Sequence, residues 1–288
     1  MYFSPSKKNG MEKKSVENIN IPKIDLEKVI KEKNPKLLKL LPGFVLRWLT
    51  RTIHQDTLNE IISQNHDKTA YEFAKNSLIY FGLKLTVKGI ENLPTHNKRM
   101  VFVANHPLGG LDGMAFIQAV SEIYGDVKFP VNDLLLNVPA LNQAFIPVNK
   151  HGKQSRESIQ SIDEAFQSEL PVLYFPAGLC SRKIKGKVCD LEWKKAFLTQ
   201  SIKHKRDVVP VFIKGENSKF FYKLSNFRKA IGLKVNIEML YLVDEMVKQN
   251  NKELIITFGK PIAWQTFDKS KTIVEWVEYL RQKTYEME

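Results

Sequence analysis

The chain has 288 residues, of which 43% are hydrophobic and 26% charged, so it can bury a core without staples and is neither disordered nor fibrous. Its 44 Lys and Arg against 31 Asp and Glu leave a net charge of +13, which favours anionic partners: nucleic acid, an acidic membrane surface, or phosphorylated or acidic-protein substrates. Two cysteines, Cys180 and Cys189, exclude a disulfide framework and a four-cysteine zinc site and fit reduced thiols in a cytosolic setting.

Residues 1–22 read as a polar, mobile basic arm. The opening MYFSPSKKNGMEKKS has lysines but no apolar run of signal-peptide length after them, so no export signal is expected. No stretch reaches about 18 uninterrupted apolar residues, so no transmembrane helix is expected either. Residues 23–80 read as an N-terminal helical region. From Ile24 to Leu49 two helical pieces are expected, broken at Pro35 and at Pro42-Gly43. The run Leu37, Leu38, Leu40, Leu41, Phe44, Val45, Leu46, Trp48, Leu49 is interspersed with Lys36, Lys39 and Arg47. That composition suits a helix at a membrane interface, or equally one packed on the core. A further helix is expected from Asn65 to Tyr80.

Strands and helices then alternate over 81–288, the pattern of an α/β domain. Strands are expected at Leu83–Lys88, Met100–Ala104, Val127–Val131, Ala144–Val148, Pro171–Phe175, Val208–Ile213 and Leu254–Phe258. Leu233, Val235, Ile237 and Met239 alternate with polar residues and predict one more strand with a wetter face. Helices are expected over Met114–Tyr124, with Phe116, Ile117, Val120 and Ile123 inward, over Ser155–Glu169, with Ile159, Ile162 and Phe166 inward, and over Thr272–Lys283. The expected architecture is a single catalytic domain with a mixed central β-sheet flanked by helices, preceded by the helical region.

The charge excess is not uniform. Residues 1–40 hold ten lysines against five acids, and residues 182–206 hold nine Lys and Arg against Asp190 and Glu192. These two patches carry nearly all of it, whereas a nucleic-acid binder would be expected to spread its charge. There is no zinc-finger spacing, RNA-binding aromatic motif or heptad run, and no His/Cys/Asp spacing that indicates a metal. No cofactor is expected. His54, His66, His96, His151 and His204 read as surface residues.

Two strand ends carry chemistry. The first is Asn105-His106-Pro107-Leu108-Gly109-Gly110-Leu111-Asp112, a buried strand running into a glycine turn and then a helix. His106 has the chemistry of a general base, and a carboxylate from Asp112 on one ring nitrogen would fix the tautomer. The alternative is an Asp112 that only caps the helix and a structural loop histidine. The second is Phe175-Pro176-Ala177-Gly178-Leu179-Cys180-Ser181-Arg182, where backbone and the Ser181/Arg182 pair suit an anionic or carbonyl oxygen, or a tight turn leading into a solvated basic face.

Taken together, in this order and about 70 residues apart, the two blocks resemble the glycerolipid acyltransferases, including the bacterial 1-acylglycerol-3-phosphate acyltransferases. Asn105-His106 and Asp112 resemble that family's Asn-His-x4-Asp signature, and Phe175–Arg182 its Phe-Pro-Glu-Gly block. Phe145-Ile-Pro-Val, Val209-Pro-Val and Val87-Lys-Gly-Ile-Glu-Asn-Leu-Pro94 resemble its intermediate block, later strand and lead-in. The likeness spans about residues 80 to 262 and depends on the combination. The departures are five residues rather than four between His106 and Asp112, Ala177 where the family has Glu, and Val148 where it has Arg, with Lys150 an imperfect substitute. The pattern is closer to the hemolysin-like branch, whose members O-acylate lyso forms of aminolipids such as ornithine or glycine lipids.

The resemblance implies acyl transfer from a thioester, carried by acyl carrier protein or coenzyme A, to a lyso-lipid hydroxyl, with His106 as base and Asp112 orienting it. It implies substrate contacts from Asn105, Gly109, Gly110, Lys150, Phe175, Pro176, Ala177, Gly178, Ser181, Arg182, Lys183 and Lys185, with the Gly178 region stabilising the oxyanion. A Cys180 acyl-enzyme is a lesser alternative. Peripheral contact with an anionic membrane, on the cytoplasmic face of the cell membrane, is expected, and nucleic acid is not. The rival acceptor is lysophosphatidic acid. The rival class is a non-enzymatic membrane-surface or nucleic-acid binding protein.

Overall fold

A computed structural model describes residues 23–132, 138–148 and 156–288; the basic arm 1–22 and Lys150 lie outside the described residues. Three short helices come first, not two: α1 (Leu26–Lys33), α2 (Pro35–Leu40) and α3 (Gly43–Thr52). Asn34 starts α2 by accepting from the Leu37 amide at 3.0 Å, with Pro35 in the first turn where no amide is needed. Neither α2 nor α3 has a buried residue. Next come α4 (Gln55–Gln64) and α5 (Ala70–Tyr80). The helix expected from Asn65 thus begins at Ala70, because Thr69 and Glu72 cap each other reciprocally: the Thr69 amide donates to Glu72 at 2.9 Å and the Glu72 amide to Thr69 Oγ1 at 3.2 Å.

The rest runs β1 (Lys84–Lys88), β2 (Met100–Ala104), α6 (Gly110–Tyr124), β3 (Phe129–Asn132), β4 (Phe145–Val148), α7 (Arg156–Gln167) and β5 (Val172–Tyr174). It continues with β6 (Arg182–Ile184), β7 (Lys187–Cys189), α8 (Ala196–Lys203), β8 (Asp207–Lys214), α9 (Lys219–Ala230), α10 (Leu242–Val247), β9 (Glu253–Phe258) and α11 (Ile273–Tyr285). The central sheet has the order β1-β9-β8-β2-β5. Strand β2 is parallel to both β5 and β8, while β9 runs antiparallel to β8 and parallel to β1, so the sheet is mixed as expected. The pair β3–β4 continues from the β5 edge through a bridge between Lys128 and Val172.

Strand β2 explains why the sheet has two covered faces. Its five residues are all fully buried, which is why they read as one unbroken apolar run. Met100, Phe102 and Ala104 face one core, with Phe73 and Leu78 of α5 and Phe116 and Ile117 of α6. Val101 and Val103 face the other, with Phe166 of α7, Phe197 of α8 and Trp276 and Leu280 of α11. On α7 the inward set is Ser158, Ala165 and Phe166, and Ile159 is half exposed, which corrects its expected inward position. Among the described residues no helix is long and apolar enough to cross a membrane.

The strand expected through Leu233, Val235, Ile237 and Met239 does not form. The segment is a turn followed by a 3₁₀ helix, Ile237–Tyr241. Glu238, on the polar phase of the alternation, is fully buried, while Val235, on the apolar phase, is 67% exposed. Two buried arginines cause the inversion. Arg182 Nη2 reaches Glu238 at 2.9 Å, and Arg228 Nε and Nη2 reach it at 2.9 and 3.2 Å. Removing one partner from such a buried cluster leaves guanidinium charge uncompensated. Glu238→Gln is therefore expected to destabilise the fold by about 3–5 kcal/mol, read as a drop in the urea midpoint, whereas Glu192→Gln on the exposed surface is expected to leave the midpoint unchanged.

Candidate active site

Because β2, β5 and β8 are parallel, their C-terminal ends open on the same edge of the sheet. They lead respectively into 105–109, 175–178 and 215–217, and these three loops build the site. Asn105 ties the first loop to β8. Its Nδ2 donates to the Ile213 carbonyl at 2.9 Å and its Oδ1 accepts from the Ile213 amide at 2.7 Å, so its amide group extends the strand pairing by one side chain. Asn217 Nδ2 donates to the Pro107 carbonyl at 3.1 Å. At Gly215 a Cβ would lie 2.8 Å from Leu108, so only glycine lets the two loops approach this closely.

His106 Nδ1 lies 3.0 Å from Asp112 Oδ2. The same oxygen accepts from the Leu108 amide at 2.7 Å and the Gly109 amide at 3.0 Å, while Oδ1 is buried without a hydrogen-bond partner. Asp112 is the third residue of α6, so it starts the helix and meets the histidine with one carboxylate; the capping and the orienting alternatives both hold. Gly109 allows this with φ +90, a backbone that other residues rarely adopt, and a Cβ there would crowd Leu242 and the Cys180 thiol. The imidazole stacks on Phe175 with centroids 4.0 Å apart and an angle of 19°. Its side chain keeps 17% exposure, whereas Asp112 has none.

Burial by itself opposes a charged ring, but the adjacent Cys180 and Asp112 outweigh it and hold the His106 pKa above the ordinary histidine range. The Cys180 sulfur lies beside the ring. Desolvation pushes the Asp112 carboxyl up, against the pull of His106 and of the Leu108 and Gly109 amides. The Leu108 and Gly109 amides bond the oxygen that meets the ring, which favours an ionised carboxylate and a proton on Nδ1, while burial works the other way.

A second carboxylate was not singled out from sequence. Asp190 Oδ1 accepts from the His106 amide at 3.1 Å and from Ser181 Oγ at 2.6 Å, and its Oδ2 accepts from Trp193 Nε1 at 2.8 Å. The Ser181 amide donates to the His106 carbonyl at 2.7 Å. Asp190 thus ties the His106 backbone of the first block to the Ser181 side chain of the second, and in sequence it is one of two acids inside a lysine run.

The second block divides differently from expectation. Phe175 is the stacking partner, Pro176 and Ala177 are buried, and Gly178 is exposed with its amide closing a turn onto the Phe175 carbonyl at 3.0 Å. That amide is therefore engaged within the turn. Lys194 Nζ sits 3.8 Å from where a Gly178 side chain would begin. Arg182 and Ser181 are 1% exposed and fully engaged, Arg182 with Glu238 and the Cys180 carbonyl, Ser181 with Asp190. Both side chains act as internal struts in this structure. Lys183 and Lys185 lie on the β6–β7 hairpin, and Lys185 is exposed at its turn. Gly109 is buried and Gly110 exposed beside Met246. Arg206, counted with the basic patch, is buried and donates to the Phe166 and Leu170 carbonyls at 2.7 and 2.8 Å. Among the described residues no three His, Cys, Asp or Glu side chains gather as a metal site.

Comparison with known proteins gives four findings. A family model described as "Acyltransferase" matches residues 28–288. A lyso-glycine lipid O-acyltransferase of Bacteroides thetaiotaomicron is 47% identical over 265 residues, 92% of this chain and 97% of that protein. One of Phocaeicola vulgatus is 45% identical, over 92% of this chain and 95% of that protein. The crystal structure of the 1-acyl-sn-glycerophosphate acyltransferase PlsC from Thermotoga maritima is similar at 20% identity and a TM-score of 0.47, covering 76% of this chain and 78% of that one.

The pair's electrostatics sets a pH test. A base works only once deprotonated, and Asp112 raises the ring's pKa, so the acidic limb of the kcat/KM profile is expected above the ordinary histidine value of 6.5. In Asp112→Asn the negative charge is gone, the ring deprotonates more readily, and the limb is expected to move to lower pH while kcat falls by roughly 10²–10⁴-fold. An unmoved limb in that variant would assign the ionisation to another group.

Proposed function

This chain belongs to the acyltransferase family and is an O-acyltransferase, and from that premise we propose that it moves a fatty acyl group from a thioester donor to the hydroxyl of a lyso-aminolipid of the glycine-lipid type. The reading is carried by the 47% identity to a lyso-glycine lipid O-acyltransferase across 92% of the chain. The chemistry follows from the dyad. His106 takes the proton of the acceptor hydroxyl. The hydroxyl oxygen attacks the thioester carbonyl carbon, and collapse of the tetrahedral intermediate breaks the C–S bond. The imidazolium then returns its proton to the departing thiolate. Asp112 stabilises the imidazolium and holds its tautomer.

Ala177 supports an aminolipid over a glycerol-phosphate acceptor. It is 5% exposed and packs with Val103, Trp193 and Phe197, where a glutamate would put a carboxylate into an apolar core. The donor is acyl carrier protein or acyl-coenzyme A. Both carry negative charge, and the exposed lysines 185, 187, 194 and 195 lie on the β6–β7 hairpin and the loop that follows it, next to Gly178. Because the acceptor resides in a bilayer, the enzyme works as a peripheral protein on the cytoplasmic face, where thioester donors are available.

The contact between Cys180 and His106 favours one second reading, in which the ring activates the thiol and the acyl group passes through Cys180. Direct transfer is preferred because the thiol is 1% exposed and packed against Gly109.

His106→Ala is expected to abolish transfer with the melting temperature retained, and Cys180→Ala to keep transfer within about tenfold of wild type. An acyl-protein mass adduct formed with donor alone would favour the cysteine route. In a matched panel read by lipid mass spectrometry, lyso-glycine lipid is expected to be acylated and lysophosphatidic acid not; the reverse preference would replace the acceptor assignment. Lys185→Glu/Lys187→Glu is expected to raise the donor KM by about tenfold, with a weaker salt dependence and kcat unchanged.

A further inference from the structure

On one part of the described surface several large apolar side chains and cations are exposed together, and two distant stretches of chain build it. Residues 33–55 and residues 217–237 contain no Asp or Glu, while carrying Lys36, Lys39, Arg47 and Arg51 in one and Lys219, Lys223, Lys229 and Lys234 in the other. On α3 the outward stripe is Phe44, Arg47, Trp48, Arg51, at spacings of three and four that place them on one helical face. A helix packed on a core would turn those aromatics inward. On α9 and the turn after it, Phe220, Phe227 and Ile231 share one face by the same spacing, and Phe227 and Ile231 are 62% and 58% exposed. Val235 joins them because the buried Arg182–Glu238–Arg228 cluster fixes the chain in the phase that turns it outward.

The two halves meet at one ring. Tyr241 packs edge-on against Trp48 at 6.3 Å and against Phe220 at 5.0 Å. The next residue, Leu242, lies against Gly109 in the catalytic loop. The exposed face therefore begins one residue from the loop that holds His106. Apolar side chains with aromatics at their border and cations around them, the carboxylate of Asp244 at the seam being paired with His54 and Lys248, match the chemistry of a bilayer interface carrying anionic headgroups.

We infer that α3, α9 and the 231–235 turn form one bilayer-docking face, whose α9 half seats the enzyme on an anionic membrane beside its catalytic loop. The inference extends the lyso-lipid reading by naming the surface that reaches the acceptor, and its test does not need turnover. The full chain is floated with vesicles of phosphatidylcholine alone or with phosphatidylglycerol added. Wild type is expected to float with the anionic vesicles only, and Phe227→Glu/Ile231→Glu to lower the partition coefficient by about tenfold or more at an unchanged melting temperature. Transfer to a short-chain acceptor dispersed as monomer is expected to be unaffected in that variant, while transfer to acceptor embedded in vesicles falls. Flotation of the α9 variant equal to wild type overturns the inference, even if Phe44→Glu abolishes binding, and so does wild type that ignores anionic vesicles. Normal flotation with no acyl transfer to any lyso-lipid would instead fail the proposed function and leave this face standing.

Discussion

One oxygen atom organises the site. Asp112 Oδ2 accepts from the His106 ring, the Leu108 amide and the Gly109 amide at once, so orienting the imidazole, closing the loop and starting α6 are a single geometric event. A fully buried carboxylate is costly unless bonded. That cost is what forbids other loop conformations, since any rearrangement would strip a dry charge of its partners. The fifth residue between His106 and Asp112 is absorbed by Gly109, whose left-handed backbone bends the chain back toward the helix.

Around that atom the site is braced by polar side chains that reach across the fold. Asn105 behaves as an extra rung between β2 and β8, Asn217 holds the Pro107 carbonyl, and Asp190 fixes the backbone of His106 and the side chain of Ser181 together. Apolar packing supplies the sheet and its two cores but has no directional preference. These bonds supply direction, and each is buried where a hydrogen bond is stronger and its loss more damaging. Glu238 does the same work one layer out, and by holding Arg182 it also fixes the segment that carries Tyr241 and Leu242.

The charge changes meaning once placed. In sequence, nine cations over 182–206 read as one basic patch. In the fold Arg182 and Arg206 are internal struts, and Lys203 and His204 are occupied by Asp163. What faces outward near the site is the lysine set of the β6–β7 hairpin and residues 194–195. A count along the chain cannot separate a solvated ammonium from a guanidinium that ends a helix, because both contribute the same formal charge.

Sequence alone determined whatever is carried by local pattern. Strands β2 and β8 were legible because strands buried on both faces are continuous apolar runs, and the pairing of His106 with Asp112 because the two lie within seven positions of each other. It misread 233–239, where Glu238 is buried and Val235 exposed, because an alternating pattern says which residues share a face and not which face is inside. It passed over the β6–β7 hairpin and α9, whose polar, lysine-rich strands and mixed helix carry no strong period. Only the tertiary structure decided that Asp190 meets a residue 84 positions away, that Cys180 lies on His106, and that α3 and α9 share Tyr241. Those contacts depend on how parallel strands bring distant loops to one edge, a property of topology that no single stretch of chain contains.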